Sequence, residues 1–264
     1  MLKNTLYRIS IFLESLKIVN NWYLIPFLYF KVLKKKYSIL FLKNGYKLKL
    51  RTSSTDLQAF TNVWVLQEYN KKDFEISDND VVIDVGAHIG LFTLYASQFC
   101  KKGKIFSYEA IKDNYDILIE NIQINNLTNI VTINKAVSNE RNLVKIYLSE
   151  DQAAHSSYNQ GKNFVEVESI SLKEIIDHNA ITKCDFLKLD CEGAEYEILQ
   201  ALPYEYFKII MKICMEYHFH DTQPYLLQEL KEKLKDLHYN IVDIPLSNGL
   251  GLLFATKVKD DAPK

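Results

Sequence analysis

The feature that most constrains this chain is an alternation of short apolar strands, glycine turns and helices that begins at Asp80. Val81–Val85 is typical of a buried strand, and the turn Gly86–Gly90 and a helical stretch at Leu91–Lys101 follow it. Strands that alternate with helices favour a parallel sheet with both faces covered, so the pattern predicts a doubly wound α/β fold. The later predicted segments are strands at Lys104–Tyr108, Ile130–Ile133, Asp185–Leu189, Ile209–Glu216, Asn240–Ile244 and Leu250–Ala255, and helices at Lys112–Asn126, Ala194–Ala201 and Gln223–Leu237.

An N-terminal extension precedes this pattern. Asn44-Gly45 is a typical two-residue turn, which predicts a β-hairpin over Ile39–Leu50, and a helix is predicted over Thr55–Tyr69. A chain of 264 residues suits one large domain, or one domain with an appendage. We therefore predict a helical and hairpin extension at 1–75 and the sheet domain at 76–264.

The extension contains an uncharged aromatic run, Ile18–Phe30, interrupted by Pro26. Its 13 residues are too few to span a bilayer, which takes about 20 apolar residues. Two interpretations stay open. The run is either a helical pair that packs its aromatic face onto the main domain, or part of a segment, 18–36, that lies on an anionic membrane, since Lys34–Lys36 follow it.

The composition argues against several other classes of protein. The 32 Lys and Arg nearly balance 33 Asp and Glu, so the net charge of −1 offers no basic surplus for a dedicated nucleic-acid binder. No secretory signal is visible, and the four cysteines form no CxxC pair. We expect reduced thiols and a cytoplasmic protein, with peripheral membrane contact as the alternative, and the sequence carries no signal of an oligomeric state.

The turn after the first strand of the sheet domain favours a nucleoside ligand. Its spacing, acid-x-Gly-x-x-x-Gly, matches neither a Walker loop nor a dinucleotide fingerprint. Glu109 ends the next strand, where a carboxylate accepts two hydrogen bonds from a ribose diol. A diol beside a glycine turn without phosphate-directed features favours S-adenosylmethionine, with His88 as a neighbour of the cofactor rather than a catalytic group. The predicted cofactor-binding residues are Asp84, Gly86, Ala87, His88, Gly90, Glu109 and Ala110.

Three sequence blocks together resemble the FkbM family of S-adenosylmethionine-dependent methyltransferases. The blocks are Val81–Gly90, Tyr108–Ala110 and Asp185–Leu199, within a similarity that covers about Ile39–Glu216. The resemblance implies a class I (Rossmann-like) methyltransferase sheet of seven strands with the last one antiparallel. It also implies O-methylation of a hydroxyl on a glycan or natural product. The family more often has Asn in place of His88 and Pro in place of Ala110.

A glycan hydroxyl is a poor nucleophile while it is protonated, so methyl transfer to it calls for assistance. A general base contributes about 10²–10⁴ in rate, and a metal ion is the other source of activation. Side chains suited to both roles end two neighbouring strands. The predicted catalytic residues are Asp190, His218 and Glu216, with His218 or Asp190 as the base. The predicted ligands of a Mg²⁺ or Mn²⁺ ion are Asp190, Glu192 and Glu216, and an acid–base pair without metal is the alternative.

Other ionisable residues receive structural interpretations. Lys188 lies in a buried strand, where an unpaired charge is costly, so we expect a carboxylate partner for it. Glu195 and Glu197 are expected to be solvated on their helix. The polar segment Asp151–Gly161 is interpreted as a substrate lid or as an ordinary surface loop.

The predicted function is therefore S-adenosylmethionine-dependent methylation, with a small-molecule or glycan hydroxyl as the acceptor. Two alternatives stay open. One is a non-catalytic partner protein that binds S-adenosylmethionine, and the other is an RNA methyltransferase, which the charge balance does not favour.

Overall fold

The structure, a computed structural model, describes residues 2–147, 163–219, 221–247 and 249–258. The interpretation of Asp151–Gly161 as a lid lies outside the described residues. The helices are α1 (Leu2–Ile18), α2 (Leu24–Tyr29), α3 (Asp56–Phe60), α4 (Leu91–Ser97), α5 (Lys112–Ile124), α6 (Leu172–His178), α7 (Glu195–Ala201) and α8 (Pro224–Asp236), with a π-helical turn at Thr61–Val65 and a 3₁₀ turn at Tyr204–Lys208. The strands are β1 (Tyr37–Phe41), β2 (Lys47–Arg51), β3 (Val81–Val85), β4 (Lys104–Tyr108), β5 (Ile130–Ile133), β6 (Ala136–Ser138), β7 (Leu143–Tyr147), β8 (Phe164–Ser171), β9 (Phe186–Leu189), β10 (Lys212–Tyr217), β11 (Tyr239–Ser247) and β12 (Leu250–Lys257).

Seven strands form the central sheet in the order β11-β12-β10-β9-β3-β4-β5. The strands from β10 to β5 pair in parallel, whereas β12 is antiparallel to both β10 and β11. This order confirms the expected class I methyltransferase sheet with its last strand antiparallel. The β11–β12 hairpin is longer than predicted, because pairing continues to Ser247 and Leu250 next to its turn.

Neighbouring residues of the central strands pack into two different apolar cores. On β3, Val82 faces a core built with α4, α5 and the N-terminal extension, whereas Ile83 faces a core built with α6, α7 and α8. Successive side chains of a strand point to opposite faces of a sheet, so this division places helices on both faces. The doubly wound arrangement predicted from the sequence is thereby confirmed.

The β1–β2 hairpin docks on α5 through two asparagine side chains. Asn121 accepts a hydrogen bond from the Lys49 amide (2.7 Å) and donates one to the Lys49 carbonyl (3.1 Å). Asn125 makes the same two bonds with Lys47, at 2.8 and 2.7 Å. Each amide side chain thus satisfies both main-chain groups of a residue on the hairpin. The domain boundary at residue 75 stays a prediction, and residues on both sides of it share one apolar core.

A second sheet has three strands, β6, β7 and β8, which come after β5 in the chain. β8 pairs in parallel with β6 and antiparallel with β7, which brings together the two segments that flank the interpreted lid. Within the described ranges, no helix combines the length and the apolar character that crossing a bilayer requires.

Candidate active site

A pocket of about 620 Å³ opens at the carboxyl ends of β3, β4, β9 and β10. The strand order reverses here, because β3 lies between β4 and β9, and ligands of doubly wound sheets bind at such a point. The volume falls in the usual range for a small-molecule site. Among the predicted cofactor-binding residues, those that line the pocket are Gly86, Ala87, His88, Glu109 and Ala110, and the predicted catalytic residues Asp190, Glu216 and His218 line it too.

The two glycines of the turn after β3 lie where other parts of the protein leave no room for a side chain. Gly86 has a φ of 74°, and a Cβ at this position would collide with the main-chain carbonyl of Asp190. Gly90 has a φ of 87°, and a Cβ there would press on the side chain of Leu118. Both positions need a residue without a side chain in the left-handed region. The turn is therefore shaped by its approach to β9 and α5.

Glu109 is buried and receives hydrogen bonds from the backbone on both of its oxygens. Oε2 accepts from the amide of His88 (2.7 Å), and Oε1 accepts from the amide of Ile111 (2.8 Å). Burial raises the pKa of Glu109, and these hydrogen bonds act in the opposite direction. Oε1 also accepts a longer hydrogen bond from the side chain of Asn114 (3.4 Å). An ionised carboxylate offers about four acceptor positions, so a ligand in the pocket finds one open position and this weakly held one.

Behind the turn lies a buried ionic cluster that the sequence did not suggest. Arg51 from the extension pairs with Asp56 through Nε (3.0 Å) and Nη2 (2.7 Å), and its Nη1 donates to Asn114 (2.8 Å). Arg51 Nη2 also lies 2.8 Å from Nε2 of His88. Burial is the largest influence on His88: it outweighs the attraction of Asp56 and, together with the smaller effect of the Arg51 charge, lowers the pKa of His88 to about 4. His88 is therefore neutral, and its ring nitrogen accepts from Arg51.

The neutral state of His88 predicts acid sensitivity of the fold. Because its folded pKa is depressed below the unfolded value of about 6.5, the stability it contributes is complete above that pH and is lost as the pH falls toward about 4. We expect the wild type to lose about 2 kcal/mol more than His88→Asn in unfolding free energy between pH 7 and pH 5. Urea denaturation at both pH values measures this difference. His178→Asn, at an exposed position, should keep the wild-type slope, and an equal slope in His88→Asn would contradict the assignment.

Lys188 has the carboxylate partners that its buried position predicted. Its Nζ lies 3.2 Å from Oδ1 of Asp84 and 3.5 Å from Oδ2 of Asp190, and it donates to the carbonyl of Gly86 (2.8 Å). Burial favours the neutral amine, but the two carboxylates outweigh it and raise the pKa of Lys188. Asp84 is fully buried, and its other oxygen accepts from Thr93 (2.6 Å). Asp84 and Gly90 are absent from the pocket lining, so Asp84 holds the turn through Lys188.

A tyrosine of the N-terminal extension joins the carboxylates at the strand ends. The hydroxyl of Tyr69 lies 3.3 Å from Oδ2 of Asp190 and 3.4 Å from Oε2 of Glu216, so both carboxylates accept from its single proton. Burial, with the Asp190 charge second, raises the pKa of Glu216 to about 8. Burial likewise raises the pKa of Tyr69, so its hydroxyl stays protonated. The sequence offered no signal for this role, since Tyr69 only ended a predicted helix.

His218 is surrounded by glutamates. Its Nδ1 lies 3.2 Å from Oε1 of Glu195, and its Nε2 lies 3.4 Å from Glu192 and 3.7 Å from Glu216. Burial favours the neutral ring, but the carboxylates outweigh it and raise the pKa of His218 to about 10. His218 is thus a cation and a hydrogen-bond donor. A role as general base would require it to give up this proton first.

The expectation that Glu195 is solvated is wrong. Its side chain is fully buried and accepts from the amides of Cys191 (2.7 Å) and Gly193 (2.8 Å). The left-handed backbone of Glu192 and Gly193 folds the chain back toward α7, so the carboxylate reaches amides that precede its own helix. Glu197 is half-buried and lines the pocket, so it is not fully solvated either.

The structure also tests which side chains come close enough to hold a cation. Ligand atoms of Asp190, Glu192 and His218 lie within 4.8 Å of one another. The predicted third ligand, Glu216, is not in this group. An imidazole with two carboxylates suits Mn²⁺ better than Mg²⁺, which prefers oxygen ligands. The composition of a metal site therefore stays a prediction, with His218 as the nearer candidate.

The seven-stranded sheet has an antiparallel last strand, and a glycine turn preceded by an acid lies where its strand order reverses. This combination is that of the class I, Rossmann-like methyltransferases. Residues 84–241 match the Methyltransferase FkbM domain, and the chain belongs to this family. The match includes the candidate site from Asp84 to His218, whereas Arg51 and Tyr69 lie outside it.

Known proteins are similar to this chain over part of its length. The methyltransferase sdnD of Sordaria araneosa is 22% identical over 174 residues, which are 53% of this chain and 67% of that protein. The hexuronic acid methyltransferase AglP of Haloferax volcanii is 25% identical over 128 residues, 48% of this chain and 52% of that protein. The crystal structure of methyltransferase FkbM from Methylobacillus flagellatus KT shares the fold, with a TM-score of 0.50 and 17% identity over 75% of this chain and 53% of that one. The chain thus spans about half to two thirds of these proteins.

Proposed function

We propose that this protein transfers a methyl group from S-adenosylmethionine to a hydroxyl of a glycan or small natural product. The observation that carries the proposal is a single pocket lined both by the turn with Glu109 and by the polar cluster of Asp190, Glu216 and His218. A cofactor and an acceptor need to share such a space for an in-line transfer. Membership of the FkbM family and the similarity to a hexuronic acid methyltransferase support the same conclusion.

The residues around Glu109 fit S-adenosylmethionine, whose sulfonium supplies an electrophilic methyl group. Glu109 is held in place by two backbone amides, and its open acceptor position and the one that Asn114 holds at 3.4 Å are available to the two ribose hydroxyls. Gly86 and Ala87 present main chain at the pocket wall, where both amides donate to the Tyr108 carbonyl (3.0 and 2.9 Å). His88 stays a predicted neighbour of the cofactor, fixed from behind by Arg51.

The carboxylates at the ends of β9 and β10 are proposed to act on the acceptor. Asp190 lies at the pocket with its Oδ2 near the Tyr69 hydroxyl and the Lys188 ammonium, and it is the carboxylate we assign as general base. His218, as a cation, orients the acceptor by donating a hydrogen bond. A cation held by Asp190, Glu192 and His218 is the competing proposal for activating the hydroxyl.

A transfer assay tests the proposed function. Labelled methyl groups of S-adenosylmethionine are followed onto a panel of hexuronic acids, other sugars, hydroxylated natural products and RNA, with calorimetry of cofactor binding alongside. We expect micromolar binding and label on at least one hydroxyl acceptor. Binding without transfer to any acceptor would favour the non-catalytic alternative, and label only on RNA would favour the RNA alternative. Absence of cofactor binding would refute all three.

Asp190→Asn should separate catalysis from cofactor binding. Loss of a general base is expected to lower turnover by about 100-fold or more, while the dissociation constant of S-adenosylmethionine changes less than about threefold. Glu205→Gln, at an exposed position, is the control for a lost carboxylate. Full activity in Asp190→Asn would remove Asp190 from catalysis. Loss of activity on chelation, restored by Mn²⁺ but not by Mg²⁺, would favour the cation over the base.

A further inference from the structure

Helix α2 has no polar face. Its sequence is Leu-Ile-Pro-Phe-Leu-Tyr, and only one side is covered by the protein: Ile25 and Leu28 are buried, whereas Phe27 and Tyr29 are each 49% exposed. A helix at the surface of a protein in water normally turns polar residues outward, and a helix that is apolar all round is normally covered all round. The interpretation of a helical pair packed on the main domain therefore explains the buried side of α2 but not its exposed side.

The exposed apolar face continues beyond α2. Arg8 on α1 donates to the Tyr29 hydroxyl on α2 (2.6 Å), and the ring of Phe12 on α1 meets that of Trp22, just before α2, edge to face. Side chains of α1 thus reach α2 and the segment that precedes it. Contiguous apolar surface of this kind marks an interaction site on a soluble protein. We name it the N-terminal aromatic surface, and its exposed side chains are Leu6, Tyr7, Ile9, Leu13, Trp22, Tyr23, Phe27, Tyr29, Phe30 and Val32.

Positive charge is concentrated in the same part of the chain. Residues 1–51 hold eleven Lys and Arg and a single acidic residue, Glu14, whereas the remaining 213 residues hold 21 Lys and Arg and 32 Asp and Glu. The net charge of −1 thus hides a segment of +10 and a remainder of −11. Four exposed lysines, Lys31 and Lys34–Lys36, directly follow the aromatic helix.

We propose that the N-terminal aromatic surface binds the face of an anionic lipid bilayer. Aromatic and aliphatic side chains enter the headgroup region, and the lysines that follow contact lipid phosphates, as in helices that lie in a membrane interface. A second copy of the chain fits less well, because pairing two such surfaces would bring two positive segments together. Nucleic acid would meet the lysines, but Leu6, Ile9 and Val32 would find no apolar counterpart on it.

Vesicle flotation of the full chain tests the proposal, with vesicles of phosphatidylcholine alone or mixed with phosphatidylglycerol. We expect the protein to float with the mixed vesicles and not with the neutral ones, and to be released by high salt. Two variants should each lower the bound fraction at least about tenfold: Phe27→Ser with Phe30→Ser, and Lys34→Glu with Lys35→Glu and Lys36→Glu. Thermal unfolding and S-adenosylmethionine affinity of both variants should match the wild type.

Matched substitutions elsewhere control for general loss of charge and of exposed rings. Tyr225→Ser removes an aromatic side chain that is 57% exposed on α8. Lys101→Glu with Lys208→Glu and Lys235→Glu changes the charge by the same amount at other exposed positions. Both controls should float like the wild type. Failure of the wild type to bind anionic vesicles at low salt would overturn the proposal. A dimer abolished by the Phe27 and Phe30 substitutions would overturn it in favour of a second copy.

Discussion

Glu109→Gln is expected to weaken S-adenosylmethionine binding by about 100-fold. The carboxylate is proposed to accept both ribose hydroxyls, and hydrogen bonds to a charged group contribute about 1.5–3 kcal/mol each. Because about 1.4 kcal/mol corresponds to a tenfold change in affinity, two such bonds at the lower limit account for the expected factor. Calorimetric titration of the variant with S-adenosylmethionine measures it directly.

The same carboxylate also stabilises the fold, and this effect has to be distinguished from the loss of cofactor binding. Both oxygens of Glu109 bind backbone amides, so Gln presents an amide group to one of them and we expect a loss of about 1–2 kcal/mol in unfolding free energy. Titration at a temperature well below the thermal unfolding midpoint of the variant keeps it folded. Glu205→Gln should bind like the wild type. A folded Glu109→Gln with unchanged affinity would show that Glu109 does not touch the cofactor.

Lys188→Met is expected to lower the free energy of unfolding by about 3–5 kcal/mol. The substitution would leave Asp84 fully buried with its Oδ1 deprived of the ammonium group 3.2 Å away. Removing one partner of a buried pair costs this much because the remaining charge stays out of water without compensation. The turn that carries Gly86 should loosen as well, since Lys188 also donates to its carbonyl. Equilibrium urea unfolding measures the loss.

A double variant distinguishes lost charge pairing from lost packing. Asp84→Asn with Lys188→Met removes both charges, so it should recover part of the stability that Lys188→Met loses. Lys102→Met breaks an exposed pair with Asp78 and should leave the free energy of unfolding close to that of the wild type. A loss below 1 kcal/mol in Lys188→Met, or no recovery in the double variant, would contradict the importance of this pair.

Several elements of the site could be predicted because they depend on local pattern and on one property of parallel sheets. Asp84 is the fourth residue of the short strand β3, and Glu109 and Asp190 directly follow β4 and β9. The carboxyl ends of these parallel strands meet at one edge of the sheet. The Lys188 pair followed from the cost of a buried charge alone. The charge segregation of the N-terminal segment was also present in the sequence, but the total charge concealed it.

Other parts depended on contacts between residues distant in sequence. Arg51 reaches His88 and Asn114 across 37 and 63 positions, and Tyr69 reaches Glu216 across 147. Nothing in the local pattern of the extension indicates such a partner. Glu195 was misjudged because a backward turn at Glu192 and Gly193, which helix periodicity does not reveal, buries its carboxylate.

The sequence by itself determined the class of fold, the seven strands of the central sheet along the chain, and the acids near the ends of several of them, because periodicity and turn chemistry act over a few residues. Only the tertiary structure decided the protonation of the site. Burial and the surrounding charges keep His88 neutral and His218 charged, and they raise the pKa of Glu216 to about 8. It also decided that the aromatic segment leaves half of its side chains in water. Burial and electrostatic fields come from the packing of distant segments, which no local pattern specifies.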